Sequence, residues 1–132
     1  MGMYASTFVA DSGLDWVTSN VNKIMFCTTQ PANKGSATGL EDDGGDGVML
    51  AYTTDINWTG PADGTTDYLR NITLGQASEV VVRTSGGLGH IALITASTLA
   101  YVTTVQTTRN VTTADTVTMQ SWLIGIGKPS TL

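Results

Sequence analysis

The sequence has little charge, and most of what it has is of one sign. Of 132 residues only 13% are charged, about half the share of an ordinary soluble domain. The 11 acidic residues outnumber six basic ones, for a formal net charge of -5. The Lys and Arg are scattered, so no basic patch is available to neutralise phosphates and nucleic acid is not an expected partner. There is one cysteine, Cys27, and one histidine, His90. A lone Cys excludes an intramolecular disulfide, and without a pair of His or Cys the usual zinc ligand sets cannot be assembled. This fits a chain made in a reducing cytoplasm. Cys27 follows Ile24, Met25 and Phe26 and reads as a buried, inert thiol. No apolar run approaches the ~20 residues of a membrane helix. Residues 1–10 show no basic segment followed by an apolar one, so no secretory signal is expected.

Catalytic motifs are equally sparse. A Ser-His-Asp or Cys-His arrangement would have to use His90, which begins an apolar run after a glycine turn and reads as a structural residue. There is no G-x-S-x-G motif and no P-loop. Ser85-Gly86-Gly87-Leu88-Gly89 precedes a strand instead of opening a helix, so it lacks the context of a phosphate cradle. The acidic segment with Glu41, Asp42, Asp43 and Asp46 offers oxygen ligands for calcium, but its spacing is not that of an EF-hand. It is read as a solvated loop, with cation binding left open. Three N-x-T sequons, at Asn57, Asn71 and Asn110, are chance matches in a threonine-rich chain without a secretion signal.

What is present is β-forming. Hydrophobic residues make up 41%, glycine reaches 15 residues, and threonine is heavily used. Residues 91–95 and 98–105 are apolar runs separated by Ala96 and Ser97. Leu99, Tyr101, Thr103 and Val105 alternate with Ala100, Val102 and Thr104, the period of a strand, and Leu99 and Tyr101 are assigned to the core. Residues 116–126 alternate too, but the phase changes after Gln120, as at a β-bulge. These runs are read as three consecutive antiparallel strands, with 106–115 a long connection. Earlier strands are expected at 23–29, 48–53, 69–74 and 79–84, the last buried through Val80, Val81 and Val82. Residues 32–47 and 54–67 are read as long loops, and 85–89 as a glycine turn. Ala10, Leu14, Val17 and Val21, spaced i, i+4, i+7, i+11, predict one helix with a single apolar face. Its Asp11 and Asp15 lie towards the positive end of the helix dipole.

The expected fold is mainly β: a single domain over residues 1–132, an antiparallel β-sandwich or barrel-like fold with one short N-terminal helix. Residues 1–9 are expected to form a flexible arm.

Two segments, taken together, carry a resemblance. The first is Ala10-Asp11-Ser12-Gly13-Leu14-Asp15-Trp16-Val17, continuing through Asn22-Lys23-Ile24-Met25-Phe26-Cys27-Thr28-Thr29-Gln30-Pro31. The second is Gly89-His90-Ile91-Ala92-Leu93 through Thr98-Leu99-Ala100-Tyr101-Val102, then Val111-Thr112, Asp115-Thr116-Val117-Thr118 and Gly127-Lys128-Pro129. About half the chain thus resembles a family of small virion proteins of tailed bacteriophages that serve as head decoration, or cement, proteins. Residues 32–67 do not match. The resemblance implies a non-enzymatic structural protein, made in the host bacterial cytoplasm and carried on the capsid exterior. There it would bind the outer surface of the major capsid protein shell and neighbouring copies of itself, as a homo-oligomer on the head, with no cofactor, nucleic acid or membrane. Expected contact residues are Met3, Tyr4 and Phe8 of the arm and Trp58 in its Gly- and Pro-containing loop. Two other readings stand beside this one. One is a tail, fibre or baseplate β-module binding host glycan or another virion protein. The other is a glycan hydrolase using Asp42 or Asp46.

Overall fold

The computed structural model describes residues 7–31, 49–64 and 68–127. One helix, α1 (Thr7–Asn20), precedes nine strands: β1 (Lys23–Cys27), β2 (Met49–Thr53), β3 (Trp58–Asp63), β4 (Tyr68–Leu74), β5 (Ala77–Val81), β6 (Gly86–Ile94), β7 (Leu99–Val111), β8 (Thr116–Met119) and β9 (Trp122–Gly127). Every strand pairing is antiparallel. The chain is mainly β with one short N-terminal helix, as expected. It forms two compact units, each assembled from separate stretches of sequence. α1, β3, β4 and β9 make a helix unit; the other six strands make a strand unit.

In the helix unit the sheet order is β3-β4-β9. Ala10, Leu14 and Val17 of α1 are buried, so these three residues of the stripe read from the sequence form the helix's inward face; Val21, also buried, lies beyond the helix and belongs to the strand unit. Ile72, Leu74 and Ile124 are buried on the sheet. A Cβ on Gly13 would lie 3.6 Å from the Ile126 Cδ1, an ordinary contact distance. Asp11 does not sit in the first turn of the helix. Its carboxylate instead takes Arg70 of β4 in a two-point contact, Nε to Oδ1 at 2.8 Å and Nη2 to Oδ2 at 3.2 Å. Arg70 also reaches Asp63 of β3 at 2.8 Å, so one guanidinium ties α1, β4 and β3 together. Asp11 first, and then Asp63, hold Arg70 above its ordinary pKa by stabilising the cation.

β3 carries the one glycine that its backbone requires. Gly60 has φ 105°, in a region that residues with a Cβ rarely enter. A Cβ there would lie 3.0 Å from the Asn71 carbonyl oxygen. The cis peptide Gly60–Pro61 falls where the register against β4 slips, between Thr59 and Ala62.

In the strand unit one sheet runs β2-β1-β6-β7, and a two-stranded sheet pairs β5 with β8. β1 and β6 are buried on both faces. Met25, Cys27, Met49, Ala92 and Ile94 form one cluster, against which Tyr52, Leu99 and Val102 pack. Ile24, Phe26, Ile91 and Leu93, on the opposite face, are buried too. Continuous burial explains why these strands read as apolar runs instead of alternating. The turn between β6 and β7 is organised by Thr95, whose Oγ1 accepts from the Ser97 and Thr98 amides at 3.2 and 3.0 Å.

Several sequence expectations need correction. Leu99 pairs with Ile94 and Tyr101 with Leu93, leaving Ala100 as an extra residue. That bulge puts Leu99 and Tyr101 on opposite faces, so Leu99 packs beside Val102 on the Met25 cluster while Tyr101 is 37% exposed. Tyr101 is therefore not a core residue, and Leu99 is only half-buried. β7 extends to Val111 instead of stopping at Val105. Its residues 105–108 stand opposite Gly89 alone. The glycine run is strand, not turn: Gly86–Ile94 is continuous, and a Cβ on Gly89 would meet the Thr28 carbonyl at 3.1 Å. Of the three valines, Val80 and Val82 are buried but Val81 is exposed. The phase change at Gln120 is no bulge. It marks the end of β8, which pairs with β5, and the start of β9, which pairs with β4. The segment read as the 54–67 loop contains β3. Thr7, Phe8 and Val9 are helical, so an arm reaching residue 9 is too long.

Candidate functional site

The clearest exposed apolar surface among the described residues lies on α1. Its buried stripe uses Ala10, Leu14 and Val17, and its other side carries Phe8, Val9 and Trp16, which are 77%, 67% and 49% exposed. Val9 and Trp16 are seven residues apart, close to two helical turns. They therefore share one side of the helix about 10 Å apart along its axis, with Phe8 one residue away. The polar side chains among them are turned back on the helix. Ser12 Oγ donates to the Phe8 carbonyl at 2.9 Å, Thr18 Oγ1 to Asp15 at 3.1 Å and Asn20 Nδ2 to Trp16 at 2.8 Å. These donors serve the helix's own carbonyls, so the outer face offers apolar area between small, already bonded polar groups. Asp11 is engaged by Arg70, and the exposed carboxylate of Asp15, beside Trp16 and two turns from Phe8, is the one charge on this face. Isolated exposed apolar residues are ordinary, but several large ones on one helix within two turns are what a partner surface looks like.

Phe8, one of the expected contact residues, lies on this exposed face, on a helix and not on an arm. Val9 and Trp16 were not singled out. Their signal was legible: both lie off the Ala10, Leu14, Val17 stripe and so could not share its core. Met3 and Tyr4 lie outside the described residues. Trp58 stands elsewhere than expected. It opens β3, opposite Leu74, which in turn faces Trp122 on β9. Trp58 is half-buried, and its indole Nε1 is enclosed with no hydrogen-bond partner among the described residues. It is a sheet residue and does not project from a loop.

The candidate catalytic and metal residues are not brought together. His90 lies inside β6, directly across from Cys27 on one side and Thr104 on the other. Its Nδ1 is buried without a partner among the described residues. Cys27 is fully buried and in no disulfide, so the one Cys-His pairing the chain permits encloses its thiol. Glu41, Asp42, Asp43 and Asp46 lie outside the described residues. Among the described residues no group of three His, Cys, Asp or Glu side chains converges as a metal site would, and no helix is long and apolar enough to cross a membrane. Of the sequons, Asn71 is buried in β4.

No family model matches the chain, and no curated protein or solved structure is detectably similar to it.

Proposed function

We propose that this chain is a structural protein of a tailed-bacteriophage virion: a decoration protein that binds the outside of the major capsid shell and stabilises the head, without catalytic activity. The observation that carries the reading is the outer face of α1. Phe8, Val9 and Trp16 hold apolar area in water, which costs the free protein its burial energy, roughly 25 cal/mol per Å², and returns it on docking. The family resemblance adds support, because the segments that carry it include α1, β1 and the β6–β7 hairpin. On a shell of many identical subunits a small domain gains avidity by touching more than one of them, or by associating with its own copies. Modest contacts then suffice, and low surface charge lets them form without desolvating ions.

The test has two stages. Purified particles of the parent phage are assayed for the number of copies of this chain. They are then stripped of it and compared with intact particles for survival of heat and osmotic shock. Hundreds of copies and a loss of survival on stripping are expected. A handful of copies, or equal survival, would remove the cementing role. Readdition of a Val9→Ser, Trp16→Ser double variant is expected to restore less protection than wild type at equal concentration. Full protection would leave a cement protein that docks through another surface.

A further inference from the structure

The strand unit contains a groove that the virion reading does not use. It has a volume of about 390 Å³ and is lined by Tyr52, Thr53 and Thr54 on one side, and by Ser78, Glu79, Val80, Val81 and Arg83 on the other. Its origin is an interrupted ladder. Among the described residues β2 is the outer strand of its sheet, and β5 is bonded in a ladder only to β8. The two strands touch through a single antiparallel bridge, Ala51 opposite Val82, where the Leu50 carbonyl accepts from the amides of Arg83 and Thr84 at 2.8 and 3.2 Å. A continued ladder would set Thr53 opposite Val80, but no such pair forms. The cause is visible in β5. Its register slips between Ala77 and Val80, and within the slip Glu79 holds φ 56°, an uncommon conformation for a non-glycine residue. A bulge of this kind bends and twists its strand, and β5 diverges from β2 beyond the bridge.

The divergence leaves two strand edges facing one space. Just beyond β5, Val82 donates to Asp115 and accepts from Ala114. By strand alternation the Val81 amide and carbonyl point the other way, towards β2, where the carbonyl faces the Tyr52 amide within the Ala51–Val82 bridge and the Val81 N–H is left for an acceptor. In the missing pair the Val81 N–H would meet the Tyr52 carbonyl, and the Thr54 N–H the Glu79 carbonyl. Open strand edges of this sort accept an added strand.

The charge at the bridge end specifies what that strand should carry. The Arg83 guanidinium lies 5.1 Å from the Tyr52 ring centroid and the Lys23 ammonium 5.2 Å from it. Two of the chain's six basic residues thus gather on one ring. Arg83 is exposed, and no carboxylate pairs with it among the described residues. Stacking on the ring fixes the plane of the guanidinium and leaves its N–H edge for an acceptor. The groove lining is mixed, with Val80 and Val81 beside the Thr53, Thr54 and Ser78 hydroxyls, and Glu79 adds a carboxylate four residues from Arg83. Its volume lies at the small end of the ~300–1,000 Å³ range of ligand sites, enough for a few residues of extended peptide.

We propose that this groove binds a short extended segment of a partner protein. The segment adds to the open strand edges next to Val81, and it places an acidic side chain on Arg83. The inference is independent of the virion role.

The probe is a dye-labelled, end-blocked Thr-Val-Glu-Val-Thr peptide, compared with the same peptide carrying Gln or Lys at its centre. Binding to the full chain is followed by fluorescence anisotropy, and the Val81 and Thr54 amides by hydrogen exchange. Saturable binding of the Glu peptide is expected. The Gln and Lys peptides should bind about tenfold or more weakly, and Arg83→Gln should weaken the Glu peptide to the same degree, the usual size of a lost charge-assisted contact. Arg83 is exposed, so an unchanged melting temperature will show that the variant is folded. Both amides should slow their exchange when the peptide is bound. Absence of saturable binding up to about 1 mM, where affinity would be only ~4 kcal/mol, would overturn the proposal. Equal binding by the Arg83→Gln variant would overturn the role of Arg83. Competition by free succinate at the peptide's own affinity, or unprotected amides, would reduce the site to a carboxylate pocket and overturn strand addition.

Discussion

Replacing Gly60 by alanine should open the helix unit selectively. The backbone at Gly60 holds φ 105°, and an L-residue forced into that half of the map costs about 1–3 kcal/mol. The added methyl also has no room. It would lie 3.0 Å from the Asn71 carbonyl oxygen, 3.3 Å from the Ala62 nitrogen and 3.4 Å from the Ile72 Cα. All three are backbone atoms, which cannot swing aside as a side-chain end could. Overpacking of this sort adds roughly 1 kcal/mol or more, for a total of about 2–4 kcal/mol. The chain provides its own reporter, because Trp16, Trp58 and Trp122 all lie in the helix unit. Urea unfolding followed by tryptophan emission should therefore show the midpoint falling by about 1–2 M, taking a slope of ~2 kcal/mol per M. A fall of less than about 0.3 M would mean that β3 tolerates a side chain at this point, and that the account of the bulge at residues 59–62 is wrong.

Gly13→Ala should act in the opposite sense. Gly13 lies inside α1 with 3.6 Å of clearance to Ile126, so alanine recovers helix propensity, and the tryptophan-detected midpoint should rise by the equivalent of about 0.5–1 kcal/mol. In the strand unit, chemical denaturation followed by far-UV circular dichroism should rank Leu93→Ala, fully buried, at about 2–5 kcal/mol, with Leu99→Ala smaller and Tyr101→Ala smallest; equal losses would contradict the bulge at Ala100. Asp11→Asn should lower the melting temperature more than Asp63→Asn, because the Asp11 side chain is 31% exposed and that of Asp63 94% and the latter is screened. Since Asp11 and Asp63 raise Arg70 above its ordinary value, the stability it contributes is fully present below that value and is lost only as pH rises through the raised one. The gap between wild type and Arg70→Met should accordingly stay constant from about pH 7 to about pH 10, as melting curves at both would show. Treatment with EDTA should leave the melting temperature of the full chain unchanged, whereas a drop of several degrees restored by calcium would assign the acidic segment a native-state cation.

The elements with one strong pattern were legible in the residues. The α1 stripe works because Ala10, Leu14 and Val17, at helical spacing, have one place to go. β1 and β6 were legible because burial on both faces leaves an unbroken apolar run. The misreadings have a common origin in partner choice, which sequence periodicity does not encode. Residues 116–126 look like one bent strand, but their two halves pair with strands about 40 and 50 positions back, and the phase slip is the step between partners. Tyr101 changes face because one residue, Ala100, is looped out of the ladder. Polar Thr107, Thr108 and Arg109 belong to β7 only because β6 lies beside them. On the candidate surface, Phe8 was legible. Val9 and Trp16 could be inferred by exclusion from the stripe. The groove was not legible at all, since it depends on a ladder that stops after Ala51 meets Val82, and on Tyr52 and Arg83 coming together across about 30 residues of sequence.

The interleaving of the two units has a consequence for how the chain is made. A ribosome releases α1 well before β9, with about 100 residues between Asn20 and Trp122. At ~5–20 residues per second that interval is about 5–20 s. The strand unit, complete at Met119, can close while β9 is still being synthesised. The helix unit cannot, and until β9 arrives one edge of β4 stands open beside Ile72 and Leu74, a template for pairing with another nascent chain. Slower translation would prolong that exposure, so β9 closes the helix unit as a latch does, after every other strand is in place.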